Sequence, residues 1–86
     1  MIKLKGKKQG NKIESLIKRL KDKGWMARAK TAISLGRLGE PEAVPALIKA
    51  LSDDNYLVRY HAADALKQIG TPEAVTAVKK WDKANN

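Results

Sequence analysis

The chain has 86 residues, no cysteine and a formal net charge of +9. That length allows one small domain, which buries only about 60% of the surface its unfolded chain exposes. The lack of cysteine excludes disulfides and thiolate metal sites, and no segment approaches the ~20 apolar residues of a membrane span, so the sequence reads as cytoplasmic.

Residues 1–11 read as a flexible basic arm, with Lys3, Lys5, Lys7 and Lys8 interrupted by Gly6 and Gly10. No apolar run follows these charges, which argues against a secretory signal. Ile2 and Leu4 alternate with lysines, but one short strand without a partner is not viable. Residues 12–84 read as a single helical domain. Asn11 suits an N-cap. Ile13, Leu16, Ile17 and Leu20 then fall at i, i+3, i+4 and i+7, one apolar stripe of a first helix. Lys18, Arg19, Lys21 and Lys23 lie off that stripe, and Gly24 is expected to end the helix. A second helix is expected from Trp25 to Leu38, burying Ala32, Leu35 and Leu38. Gly36 within it costs about 1 kcal/mol of propensity but allows close helix approach. Gly39 takes the left-handed position just past its end.

Pro41 opens a third helix, where proline is tolerated, with Glu42 near the positive end of the dipole. Its stripe is Ala43, Val44, Leu47, Ile48 and Leu51. Ser52 to Asn55 is a turn cluster. A fourth helix, Tyr56 to Ile69, buries Val58, Ala62, Ala65, Leu66 and Ile69, and Gly70 stops it. Thr71 caps and Pro72 opens a fifth, with Ala74, Val75 and Val78 apolar. Residues 84–86 are expected to fray.

The chain pairs with itself at an offset of 31 residues (70 − 39), since Gly39-Glu40-Pro41-Glu42-Ala43-Val44 reappears as Gly70-Thr71-Pro72-Glu73-Ala74-Val75. At the same offset Leu16, Ile17, Lys18, Leu20 and Asp22 fall on Leu47, Ile48, Lys49, Leu51 and Asp53, and Arg28, Ala32 and Leu35 fall on Arg59, Ala63 and Leu66. A period in this range marks a solenoid, in which each unit gives the next a face to bury against. In the fifth helix Ile48 and Leu51 become Lys79 and Asp82, the polar outer face that terminates a repeat array. The first helix, with no partner of its own kind before it, is the less protected end, which suggests a monomer or a weak dimer through that helix.

At Arg59 to Val75 (R-x-x-A-A-x-A-L-x-x-I-G-T-P-E-A-V), and at its first copy L-G-E-P-E-A-V-P-A-L-I-K-A-L, the sequence resembles HEAT-like repeat proteins. The nearest likeness is to the short-repeat subclass whose pattern also occurs in phycobilisome lyases. The resemblance covers residues 12–82 and implies an all-α fold, an α-solenoid of about two and a half helical hairpins, five helices in all. The family contains scaffolds, lyase subunits, metal-dependent hydroxylases and DNA-repair glycosylases, so it does not by itself fix a function. The hydroxylases hold iron with His-Glu pairs, whereas His61 is followed by Ala62. The glycosylases wrap duplex DNA with a longer solenoid. The lyases are longer and work as paired subunits, so a lyase role implies a non-catalytic subunit with a partner. The family also implies that the turn aspartates Asp22 and Asp53, with Arg28 and Arg59 six positions on, form a structural hydrogen-bonded ladder.

No catalytic constellation is present. Ser15, Ser34 and Ser52 have no nearby His or Cys in sequence to activate a nucleophile. The acids sit at helix starts and turns rather than as paired carboxylates, and there is no glycine-rich phosphate loop. The reading is a non-enzyme with no cofactor, no metal site and no membrane contact. In the resembling family the second helix of each hairpin lines the concave face. Lys18, Lys49 and Lys80 would then stand on neighbouring helices about 8–10 Å apart, with Arg19 and Trp81 at the next shared position. These five residues are the expected contacts for a protein partner with an acidic surface. Residues 1–38 carry twelve Lys/Arg against two acids, giving +10, and residues 39–86 carry six against seven, giving −1. That asymmetry supports a second reading, salt-sensitive nucleic-acid binding through Lys3, Lys5, Lys7, Lys8, Lys12, Lys18, Arg19, Lys21 and Lys23. A further apolar line, Trp25, Ala29 and Ile33, becomes Tyr56, Tyr60 and Asp64 in the next repeat; it is a second candidate partner site, set against the favoured expectation that Ile2 and Leu4 of the arm cover it or that Trp25 packs on the turn.

Overall fold

The computed structural model describes residues 12–85. The basic arm expected over residues 1–11, with Lys3, Lys5, Lys7 and Lys8, lies outside them. Helix α1 covers residues 12–19. It is followed by α2 (Trp25–Leu38), a 3-10 turn (Pro41–Ala43) that leads into α3 (Val44–Ala50), α4 (Tyr56–Ile69) and α5 (Pro72–Asn85). The described residues contain no strand. The most extensive packing joins α2 to α4, and α3 and α5 both pack on α4. Helices α2 and α4 therefore form one layer, and α1, α3 and α5 the other.

Glycine and capping chemistry places the breaks. Gly39 and Gly70 adopt φ of 67° and 71°, the left-handed region that favours glycine, and each donates its N–H back to Leu35 or Leu66. Asn55 caps α4 by accepting from the N–H groups of Leu57 and Val58 at 2.9 and 3.2 Å. The hydroxyl of Thr71 caps α5 by accepting from Ala74.

Three boundaries differ from expectation. Gly24 does not end the first helix. The ladder tightens after residue 19, where Leu20, Lys21 and Asp22 each donate three residues back. Gly24 instead precedes α2, with its N–H held by Asp22 Oδ1 at 2.9 Å. The third helix is split, because Pro45 has no N–H to give to Pro41, and Val44 bonds that carbonyl instead. In the next repeat Thr76 stands at the place of Pro45, and α5 is continuous from Pro72. Ala84 and Asn85 belong to α5 rather than fraying, and Asn85 Nδ2 donates to Trp81 O at 2.7 Å.

The core contains Leu35, Leu47, Leu66, Val44 and Val58 fully buried, with Ile13 and Leu20 from the first repeat unit also inside. Close packing of α2 on α4 depends on Gly36. A Cβ at this position would lie 2.8 Å from Ala65 Cα, closer than real contacts allow. The Trp25–Ala29–Ile33 line is on this side of α2, where Ala29 is buried and Ile33 half-buried, whereas Trp25 is exposed, so the line is only partly covered by the described residues. Val75 is the one expected core residue that is exposed, at 38%. It shares a side of α5 with Lys79 and Asp82, at i, i+4 and i+7, facing away from α3. No described element covers that side.

Candidate interaction face

The corresponding turns of two successive repeats are tied together by one guanidinium. Arg28 Nη1 donates back to the carbonyls of Asp22 and Lys23 at 2.8 and 3.0 Å. Its Nε and Nη2 donate forward to the two carboxylate oxygens of Asp53 at 2.8 and 3.0 Å. The pair is largely withdrawn from solvent, with side chains 14% and 11% exposed. Asp53 Oδ1 also accepts from Asn55 N, which fixes the turn that starts α4. The hydrogen bond from Arg28 is the main cause holding the Asp53 carboxyl below its ordinary range, against a smaller opposing effect of burial. The same bond raises the affinity of Arg28 for its proton.

The ladder expected from the turn residues is thus present but differently wired. Within a repeat, arginine meets the backbone carbonyl of the aspartate; between repeats, it meets the next carboxylate. The spacing of 25 between Arg28 and Asp53 is one period less the six residues from aspartate to arginine (31 − 6). Arg59 repeats the backward half only, donating Nη1 to Asp53 O at 2.7 Å. The residue 25 positions on is Ala84, and among the described residues Arg59 makes no ion pair.

On the layer of α1, α3 and α5, two grooves run between neighbouring helices. The groove between α1 and α3 has a volume of about 380 Å³ and is lined by Ile17, Leu20, Lys21, Pro45, Ala46, Lys49, Ala50 and Asp53. The groove between α3 and α5 has a volume of about 670 Å³, with Ile48, Leu51, Ser52, Thr76, Ala77, Lys80 and Trp81 among its walls, along with Pro72 and Glu73. Adding 31 to seven of the eight residues of the first groove returns residues of the second; only Asp53, which maps to Ala84, does not. Both have apolar floors, and each has an exposed lysine at its rim, Lys49 or Lys80.

Of the residues singled out in the sequence, Lys18, Lys49 and Lys80 are exposed, and the last two stand at equivalent places in the two grooves. Trp81 lines the second groove while packing half-buried against the core. Its Nε1 is buried with no hydrogen-bond partner among the described residues. Arg19 does not share this surface. It lines a separate depression between α1 and α2 with Leu16, Asp22 and Lys30. Lys12, Lys21 and Lys23 are all exposed around α1, and Lys21 also walls the first groove. Sequence reasoning missed the groove floors and the forward half of the arginine ladder. Both follow from the period once it is used to place one repeat against the next, rather than to match residues within each. His61 is half-buried, its ring edge-on to Tyr60 at 5.2 Å. Among the described residues no three metal-ligating side chains converge, and no helix is long and apolar enough to cross a membrane.

The family model for HEAT repeats matches residues 13–86. No curated protein matches the chain.

Proposed function

Because the chain belongs to the HEAT-repeat family, we propose that it is a non-enzymatic interaction module that holds an acidic protein surface on the layer of α1, α3 and α5. Lys18, Lys49 and Lys80 supply the charge, and Trp81 offers an apolar wall beside Lys80. Arg19, which lines the separate depression between α1 and α2, stands outside this face. The observation carrying this reading is the pair of repeat-related grooves, each with an exposed lysine over an apolar floor. Solvated lysines contribute little alone, but beside an apolar floor they place charge where a partner's side chains are desolvated. The 31-residue period supports placing the chain in the short-repeat subclass that includes phycobilisome-lyase subunits. A nuclear magnetic resonance titration with a glutamate-rich peptide tests the face. Amides of α3 and α5 should shift, and the Lys49→Glu/Lys80→Glu variant should bind about tenfold or more weakly. Unchanged affinity in that variant would mean the contact lies elsewhere.

A second reading is nucleic-acid binding through the first helix. It is favoured by the exposed Lys12, Lys18, Arg19, Lys21 and Lys23 against the exposed acids Glu14 and Asp22 in the same stretch. Duplex and single-stranded oligonucleotides titrated at low and physiological salt test it. Binding that weakens steeply with salt is the expected signature, and no binding at low salt would eliminate this reading.

A further inference from the structure

The two grooves are one groove presented twice. Each has the same floor, Ile17 and Leu20 with Ala46 in the first and Ile48 and Leu51 with Ala77 in the second, and the same rim lysine. A surface that repeats by translation matches a ligand that repeats by translation. The step between the grooves is the spacing of packed helices, about 8–10 Å. An extended polyproline-type segment has three residues per turn and rises about 3.1 Å per residue, so residues i and i+3 face the same way about 9 Å apart. An α-helix fits less well. Laid across α1, α3 and α5 it rises only about 1.5 Å per residue, so its same-face neighbours at i+3 and i+4 stand about 5–6 Å apart, short of the step between the grooves.

We infer that this face reads an extended acidic segment of a partner protein, in which two apolar side chains three residues apart enter the α1–α3 and α3–α5 grooves and neighbouring carboxylates meet Lys49 and Lys80. The charge pattern sets the orientation within the second groove. Glu73 lies on its wall two turns from Lys80 along α5, so a carboxylate is favoured at the Lys80 end and repelled at the other. Asp53, on the wall of the first groove, is engaged by Arg28 and offers less repulsion. The second groove is the roomier, at about 670 against 380 Å³, and Trp81 replaces Ala50 on its wall. It therefore takes the larger of the two apolar residues.

This inference rests on the proposed interaction face, and the test separates the two. The probes are fluorescent glutamate- and proline-rich peptides of equal charge, bound to the full chain. One carries leucines at i and i+3, one at i and i+4, and one a single leucine. The i, i+3 peptide should bind about tenfold more tightly than the others, the effect of one further buried leucine. The Lys49→Glu/Lys80→Glu variant, shown folded by circular dichroism, should lose that binding. Equal affinity for all three peptides, lost in the variant, would overturn the spacing while leaving the face. Equal affinity in variant and parent would overturn both. A duplex oligonucleotide that displaces the i, i+3 peptide at lower concentration than a competing acidic peptide would also overturn it.

Discussion

Arg28 and Arg59 occupy the same place in successive repeats, yet their side chains are not equally held. Arg28 makes hydrogen bonds to two carbonyls and to both oxygens of Asp53, whereas Arg59 makes one, to Asp53 O. Removing the first should leave a largely buried carboxylate and two turn carbonyls without their donor. The loss of thermal midpoint from Arg28→Ala is expected to be roughly twice that from Arg59→Ala or more, since hydrogen bonds to charged groups are the stronger ones. Equal losses would show that the forward pair adds nothing. The same pair gives stability an acid limb. Because Asp53 is held below its ordinary value of 3.8, the unfolded chain takes up its proton first as pH falls. The stabilisation is complete above that value and fades below it, towards the depressed folded value. Urea denaturation of Asp53→Asn across this range should show a lower plateau near neutrality and a shallower acid decline than the parent.

At the scale of elements, the seam between α2 and α4 depends on a missing side chain. Gly36→Ala would gain about 1 kcal/mol of helix propensity. The added carbon, however, would lie 2.8 Å from the Cα of Ala65, and backbone cannot turn aside as a flexible side chain can. Overpacking of this kind costs about 1–3 kcal/mol, so a net loss is expected in the urea midpoint, and a gain would mean the helices can separate freely. Gly36 shows what the sequence made legible. Periodicity placed α2 and α4 to the residue, the two left-handed glycines marked their ends, and the glycine within α2 pointed to close approach. Pro45 shows what it did not. A proline one turn into an apolar stripe looks tolerable on periodicity alone, but its missing N–H splits the third helix, and only comparison with Thr76 in α5 makes the consequence visible. Val75 failed for a different reason. It copies the buried Val44, but burial is a property of neighbours, and its side of α5 faces no described element. The candidate lysines were legible because they recur at the period. Their grooves were not, because a groove belongs to the space between repeats.

For the whole molecule, the period of 31 residues is a unit of energy as well as of sequence. In such arrays stability is close to a sum of unit terms and nearest-neighbour seams. The charge is uneven along it, +10 over residues 1–38 and −1 over 39–86, so the two ends of the array differ in electrostatic character though they share a fold. The seam itself has a direction, arginine on one side and aspartate on the other, and this makes the protein extensible in a defined register. A second copy of residues 40–70 inserted between Gly70 and Thr71 would bring another Asp53 to position 84, 25 residues beyond Arg59. The lengthened chain should melt at a higher temperature, and its gain should shrink when the inserted aspartate is replaced by alanine, as calorimetry of the two insertions would show. Arg59 is in this sense an open valence, and the solenoid can be grown from it as a polymer is grown from its reactive end.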